Sequence, residues 1–230
     1  MNKAHKRMGM ALILAIVALM MIPVFQPLPH AQTKDKPKTT QNRKKQQKKT
    51  GNIFADPTDM RPMTGRYYLY PSETKRKYPD LRKYKNVWFK VPISKCRAYV
   101  MSGDKVIYVM YASAGKVTKG RSLTPLGTFH VQNESGEQFI NANGVGARYF
   151  ISFYQHGVYL FHSVPINNFA SGEHVGSYYY GYKNGAHLTT LGKKPDSHGC
   201  VRLTVSDAKW IYTQRQNGGI KVGTKVVIAK

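Results

Sequence analysis

Acidic side chains are scarce in this 230-residue chain: 11 Asp and Glu stand against 36 Lys and Arg, a formal charge of +25. The imbalance points to a polyanionic partner without choosing one, because nucleic acid, anionic lipid and phosphate-rich wall polymers all satisfy the same Coulomb argument. Cysteine is nearly absent, with only Cys96 and Cys200. One pair is a weak staple for a domain of this size, which excludes a disulfide-dense fold and leaves the core to the hydrophobic residues, 41% of the chain. The short paired ligand spacings of a zinc site are also missing. From Gln32 to Thr50 there is no apolar residue at all, so nothing in that stretch offsets the entropy of ordering it.

What is present divides the chain. Lys3, Lys6 and Arg7 precede an uncharged apolar run from Met8 to Phe25, so residues 1–31 read as an export signal or membrane anchor. Ala31 offers a cleavage position, but Pro29 stands where a small residue is preferred, and eighteen apolar residues reach the lower limit for a span; the balance favours a retained anchor. With the basic end held inside, either outcome puts the rest outside the cytoplasm, anchored to the membrane or secreted to the wall, and disfavours nucleic acid as the partner. Residues 32–50 read as a basic disordered linker suited to anionic lipid or wall polymers. Residues 51–85, polar, Tyr-rich and interrupted by Pro57, Pro62, Pro71 and Pro79, read as an extended segment draped over a neighbouring surface. Eleven Lys or Arg and one Asp lie in the first fifty residues, so residues 51–230 keep a net +15.

Residues 86–230 form one folded domain, mainly β with one packed helix near the C-terminus. "NVWFKV" alternates, "CRAYVM" and "KVIYVMY" flank the turn Ser102-Gly103-Asp104, and "GTFHV" is a further strand. "RYFISFY" and "VYLFHSV" flank Gln155-His156-Gly157 as a second hairpin, whose returning strand delivers His162 and Ser163 to its end. The helix is expected from Ser206 as N-cap through Gln216, with Val205 stapling against Trp210 and Asn217-Gly218-Gly219 as the stop; "TKVVIA" closes the chain as a strand.

The chemistry concentrates in Ser197-His198-Gly199-Cys200. A thiol of pKa about 8.5 needs an adjacent base to become a useful nucleophile, the base needs a third group to orient it, and backbone N–H groups must face the oxygen that gains charge. Gly199 permits a tight turn that leaves its own N–H and that of Cys200 aimed at an oxyanion. His162, at a strand end, is the candidate base, and His198, two residues before the sulfur, shapes the site.

These residues resemble the L,D-transpeptidases, the YkuD-type catalytic domain of bacterial cell-wall synthesis. His162-Ser163 and Ser197-His198-Gly199-Cys200 match the family signature; "FHSVP", Leu191-Gly192, "CVRL", "DAKWIY" and "GTKVVI" look like Gram-positive members, and "SLTPLGTFHV" matches the usual T-P-x-G-T-F strand. The resemblance covers residues 86 to 230 and implies a β-sandwich-like catalytic domain without metal or organic cofactor. It implies that Cys200 attacks the bond before the terminal D-alanine of a peptidoglycan tetrapeptide stem. The resulting thioester is then taken by the side-chain amine of a neighbouring stem, giving a 3→3 cross-link. It further implies His162 as base, Ser163 as the residue orienting it, Gly199 and Cys200 as oxyanion donors and Arg202 as a holder of substrate carboxylate; Ser197 and Tyr180 are read as further substrate contacts, and the thioester chemistry makes carbapenem-type β-lactams expected inhibitors.

Thirty-four residues, Ser163 to Asp196, separate His162 from Ser197, about twice the shortest family gap, and the extra length is Gly- and Tyr-rich. This insertion carries His174, His187 and the tyrosines 178, 179, 180 and 182, which read either as an aromatic lid over substrate or as a packed surface loop. His187 is the alternative base. Asp196 would oppose ionisation of Cys200 unless it faces solvent. Three other readings stay open: an L,D-carboxypeptidase handing the same thioester to water, a non-catalytic wall-binding protein in which Cys200 is incidental, and a Cys96–Cys200 disulfide. The activity is expected to need neutral His162, with a rate limb near the ordinary histidine pKa of about 6.5.

Overall fold

The computed structural model describes residues 54–140, 145–167, 179–180 and 188–230. Its strands are β1 (Val87–Pro92), β2 (Arg97–Ser102), β3 (Lys105–Ser113), β4 (Val117–Thr118), β5 (Arg121–Ser122), β6 (Gly127–His130), β7 (Ser135–Ile140), β8 (Val145–Tyr154), β9 (Tyr159–Ser163), β10 (Ile166–Asn167), β11 (Tyr179–Tyr180), β12 (Val201–Leu203) and β13 (Lys225–Ala229). The single α-helix among the described residues, α1, spans Val205–Gln216. The class is mainly β with one helix near the C-terminus, as expected. The apolar run from Met8 to Phe25 lies outside the described residues, and among those described no helix is long and apolar enough to cross a membrane.

The strands join in the order β11-β10-β8-β9-β12-β3-β2-β1-β13-β6, with β7 added beside β8 and the β4–β5 pair separate. The sheet curls, because its ends and halves share aromatic side chains across the interior: Phe89 of β1 lies 5.3 Å from Phe161 of β9, and Phe129 of β6 lies 4.6 Å from Tyr154 of β8. Burying such rings on the inner face is the main drive for closure.

Both foreseen hairpins form. β2 and β3 pair antiparallel up to Ser102↔Lys105, with Gly103 at φ +54° in the turn. β8 and β9 pair around a turn in which Gln155, His156 and Gly157 all have positive φ. Two non-glycine residues are strained there, and side chains hold them: Gln132 Oε1 accepts from His156 N at 2.9 Å, and Ser152 Oγ accepts from Gly157 N at 3.0 Å.

The helix begins earlier than its sequence suggests. Thr204, extended at φ −61° and ψ 158°, is the N-cap and its hydroxyl accepts from Asp207 N at 3.0 Å, whereas Ser206 sits inside the first turn and donates to Leu69 O at 2.7 Å. The expected staple is absent because residues five apart lie about 140° apart around a helix. Val205 packs toward Tyr67 and Leu191, while Trp210 stacks on Tyr78 with centroids 4.7 Å apart. Asn217 ends the helix, with Gly218 following at φ +86°.

Residues 54–85 carry no α-helix or strand, only two 3-10 turns, Tyr67–Leu69 and Leu81–Lys83, and a bridge between Met60 and Glu73. Asp207 ties this segment to α1. Its buried carboxylate accepts from Ser72 Oγ at 2.5 Å and Tyr78 OH at 2.8 Å, and burial pushes its pKa up to about 6.

Candidate active site

β9 and β12 are parallel neighbours, with Phe161 opposite Val201, His162 opposite Arg202 and Ser163 opposite Leu203. Parallel strands require a long crossover, and the chain between them supplies it. Alternation then sorts the side chains: Phe161 and Val201 enter the core, while His162 and Arg202 point to the other face. Cys200 immediately precedes β12, two positions before Arg202, and its thiol meets the backbone just ahead of β9 at Val158 O, 3.5 Å away.

His162 is 6% exposed, and its Nδ1 lies 2.5 Å from Ser163 O. A carbonyl oxygen only accepts, so Nδ1 carries the proton and Nε2 is left with the lone pair a base needs. Burial first, and the Arg202 guanidinium second, hold its pKa down to about 3, only partly opposed by the bond to Ser163. Phe139 of β7 closes over the imidazole edge-on, 5.4 Å between centroids. Ser163 thus orients His162 through its main chain, while its hydroxyl donates to Val164 O at 2.8 Å and accepts from Arg148 N at 3.0 Å.

Cys200 is half-buried and donates to Val158 O at 3.5 Å. Burial pushes its thiol up from the ordinary value, and the Leu160 N–H and the Arg202 guanidinium oppose that rise. The Asp196 backbone N–H donates to Ala114 O at 2.9 Å. Burial thus disfavours the charged form of both the thiol and the imidazole.

The loop ahead of Cys200 is held from inside. Ser197 Oγ donates to Cys200 O at 2.5 Å and accepts from Gly199 N at 3.0 Å, while Thr124 Oγ1 donates to Gly199 O at 2.6 Å and accepts from Gly115 N at 2.7 Å. Gly199 has φ +146°, and a Cβ there would stand 2.9 Å from Tyr159 Cε1 and 3.3 Å from Leu123 O, so only glycine fits. Two expectations change. The Gly199 N–H is not free for an oxyanion in this conformation, since Ser197 takes it. Ser197, foreseen as a substrate contact, is 2% exposed and spends its hydroxyl shaping the loop.

Arg202 is 3% exposed and its Nη1 donates to Asp196 O at 2.9 Å, so it braces the loop and acts on His162 instead of presenting an open fork to substrate. His198 is exposed. The backbone of Tyr180 pairs with Ile166 across β10 and β11, and its side chain lies outside the described residues, as do His174, His187, Tyr178 and Tyr182. Cys96 and Cys200 are both free thiols, which removes the disulfide reading. Among the described residues no three metal-binding side chains converge.

Sequence reasoning missed Thr124, Leu160 and Phe139. Thr124 is the first threonine of the quoted "SLTPLGTFHV" and was legible as part of that pattern; Leu160 acts through its amide and Phe139 through the unforeseen β7, neither of which leaves a sequence signal.

The profile of the L,D-transpeptidase catalytic domain (YkuD) family matches residues 86–228. Bacillus subtilis (strain 168) YciB, whose name provisionally makes it an L,D-transpeptidase, is 38% identical over 157 residues, 66% of this chain and 70% of that protein. Among solved structures, an L,D-transpeptidase from Mycobacterium smegmatis aligns at 20% identity and TM-score 0.43, covering 63% of this chain and 59% of that one. A fused Zn-dependent amidase/peptidase/peptidoglycan-binding protein from Clostridium acetobutylicum aligns at 28% identity and TM-score 0.41, covering 62% and 51%. The chain thus spans less than two thirds of the length of those structures. With the profile matching residues 86–228 and YciB 38% identical, this chain belongs to the L,D-transpeptidase catalytic domain family.

Proposed function

We propose that the protein is a cysteine acyltransferase that forms 3→3 peptidoglycan cross-links through a thioester on Cys200. The observation that supports the reading is the β9–β12 register, which sets a tautomer-fixed His162 opposite Arg202, two positions after Cys200. The Cys200 sulfur bonds to the carbonyl carbon between the L-centred third residue and the terminal D-alanine of a donor stem as its proton passes to His162 Nε2. The C–N bond then breaks, and the same proton leaves on the amine of D-alanine. A side-chain amine of an acceptor stem attacks the thioester, gives its proton to Nε2, and the C–S bond breaks with return of a proton to sulfur.

Because His162 resists charging, no thiolate–imidazolium pair is stored, and proton transfer accompanies S–C bond formation. The amide N–H groups of Cys200 and Gly199 are the donors to the oxyanion, the second by exchanging Ser197 Oγ for the substrate oxygen. Tyr180 and the exposed His198 contact the stem peptide, and Arg202 serves substrate indirectly by bracing the loop. The site of action is outside the cytoplasm, where the apolar leader delivers the domain and where residues 32–50 meet anionic wall polymer or lipid.

Incubating the protein with disaccharide-tetrapeptide and weighing the products tests the reading. Cross-linked dimers with free D-alanine support transfer; tripeptide alone replaces it with an L,D-carboxypeptidase; unchanged substrate removes both.

A further inference from the structure

Residues 54–85 lie ahead of the family match, yet a buried side chain from them grips the chain that leads into Cys200. Tyr67, 4% exposed, shares its one hydroxyl proton between Leu188 O at 3.1 Å and Leu191 O at 2.8 Å. Its ring stands edge-on to Tyr111 at 6.0 Å and packs in one cluster with Val164, Leu188 and Leu191. Val164 directly follows His162-Ser163, so this cluster touches the end of the strand carrying the base as well as the approach to the nucleophile. Burial pushes the phenol up to about 12, which keeps it a donor at any working pH.

A second contact is independent of the hydroxyl. Gly192 has φ +75°, and a Cβ there would stand 2.7 Å from Tyr111 Cδ1 and 3.0 Å from Met63 Sδ, so the approach chain runs close against the early segment. The Gly192 carbonyl accepts from Arg97 Nη1 at 2.8 Å, and Arg97 in turn grips Asp56, Nη2 to Oδ2 at 2.6 Å. Beyond it, Lys194 O accepts from Ser113 Oγ at 2.8 Å, and Asp196 N and Ser197 N both donate to Ala114 O at 2.9 Å. From residue 188 to 197 the backbone is thus stitched down, beginning at Tyr67 and ending at the loop that Ser197 closes onto Cys200.

We propose that Tyr67 is a positioning residue for the reaction, supplied from ahead of the residues the family profile matches: by fixing residues 188–197 it sets where the Cys200 loop stands relative to His162. This rests on the reading of Cys200 as nucleophile. A displacement of about 1 Å at a reacting atom costs up to about a hundredfold in rate, so a relaxed approach chain has a kinetic signature without a loss of fold.

The test compares Tyr67→Phe with Tyr99→Phe in the full chain. Tyr99 is also buried and its hydroxyl donates to Phe54 O at 2.7 Å, so it ties the same early segment without touching residues 188–197. Tyr67→Phe is expected to lower kcat on disaccharide-tetrapeptide about tenfold with KM changed less than twofold, and to speed amide hydrogen exchange in peptides spanning 188–200. Tyr99→Phe is expected to change neither. If Tyr67→Phe does not fold, Arg97→Gln, which releases Gly192 O, carries the same expectation. Wild-type kcat and exchange in Tyr67→Phe, or equal losses in both tyrosine variants, overturn the proposal. Exchange is read without turnover, so activity surviving in Cys200→Ala would sink the nucleophile reading while leaving the Tyr67 clamp to be judged on exchange alone.

Discussion

His162 and Ser163 are adjacent in sequence, and the ring of the first turns back to place Nδ1 2.5 Å from the carbonyl oxygen of the second. That contact fixes the tautomer without a carboxylate. With burial and Arg202 disfavouring a second proton, the imidazole is a base held neutral across the physiological range.

The pH profile follows. With His162 held near 3 and Cys200 raised by burial, kcat/KM is expected to be flat between pH 5 and 8 and to fall only below about pH 4. This replaces the limb near 6.5 expected from sequence. Phe139→Ala, which opens the imidazole edge to water, should move the acid limb upward by at least one pH unit; stopped-time assays across pH 3 to 9 on both proteins decide, and a wild-type limb near 6.5 contradicts the burial argument.

Alkylation of the resting enzyme should be slow. A neutral thiol reacts through its small thiolate fraction, so the rate of iodoacetamide labelling at Cys200 is expected to rise about tenfold per pH unit from 6 to 8. A plateau over that range, measured by peptide mass, would mean a stored thiolate.

Stability carries an opposing pair of titrations. The folded-state pKa of His162 lies below its unfolded value, so the unfolded chain binds the extra proton and stability is lost as pH falls from about 6.5 toward 3. Asp207 is raised from 3.8 to about 6, so the folded chain binds the extra proton and stability is gained as pH falls from 6 toward 4. His162→Gln removes only the first effect. Relative to wild type, the variant should gain on the order of 3 kcal/mol between pH 7 and pH 4 in denaturant melts, and an unchanged difference across that window contradicts the assigned burial of His162.

Thr124 offers a clean test of loop shape. Thr124→Val keeps the volume but leaves Gly199 O and Gly115 N without their partner, at a cost of about 1–3 kcal/mol, and should reduce kcat at least tenfold with the circular dichroism spectrum unchanged. Thr124→Ser should restore most of it. Full activity in the valine variant would show that the loop holds itself.

The parts legible in the sequence are those written in local pattern. Alternating apolar residues gave β1, both hairpins and β13, and the Ser197–Cys200 motif with "FHSV" singled out the two side chains proposed to react. The helix start was misplaced by two positions, at Ser206 instead of Thr204, because both residues can cap and only the tertiary contact of Ser206 with Leu69 O decides between them. β12 and β7 went unforeseen, the first because three residues show no period and the second because "SGEQFI" is covered on one side by pairing with β8 alone. The site itself was read one bond too simply: the sequence places Gly199 N–H beside an oxyanion, but not the Ser197 hydroxyl that already occupies it.

The inhibitor expectation uses the same sulfur. A carbapenem should open on Cys200 to a covalent thioester, seen as a single drug mass added to the intact protein and absent from Cys200→Ala; an adduct on the alanine variant would place the reactive group elsewhere.

The most direct test is to trap the acyl-enzyme. Protein mixed with tetrapeptide stem, quenched in acid within the first turnover and digested, is predicted to show the tripeptide acyl group on the peptide containing Cys200, with none on His162→Gln. Turnover that continues in Cys200→Ala, or an acyl group found on any other residue, would contradict the account.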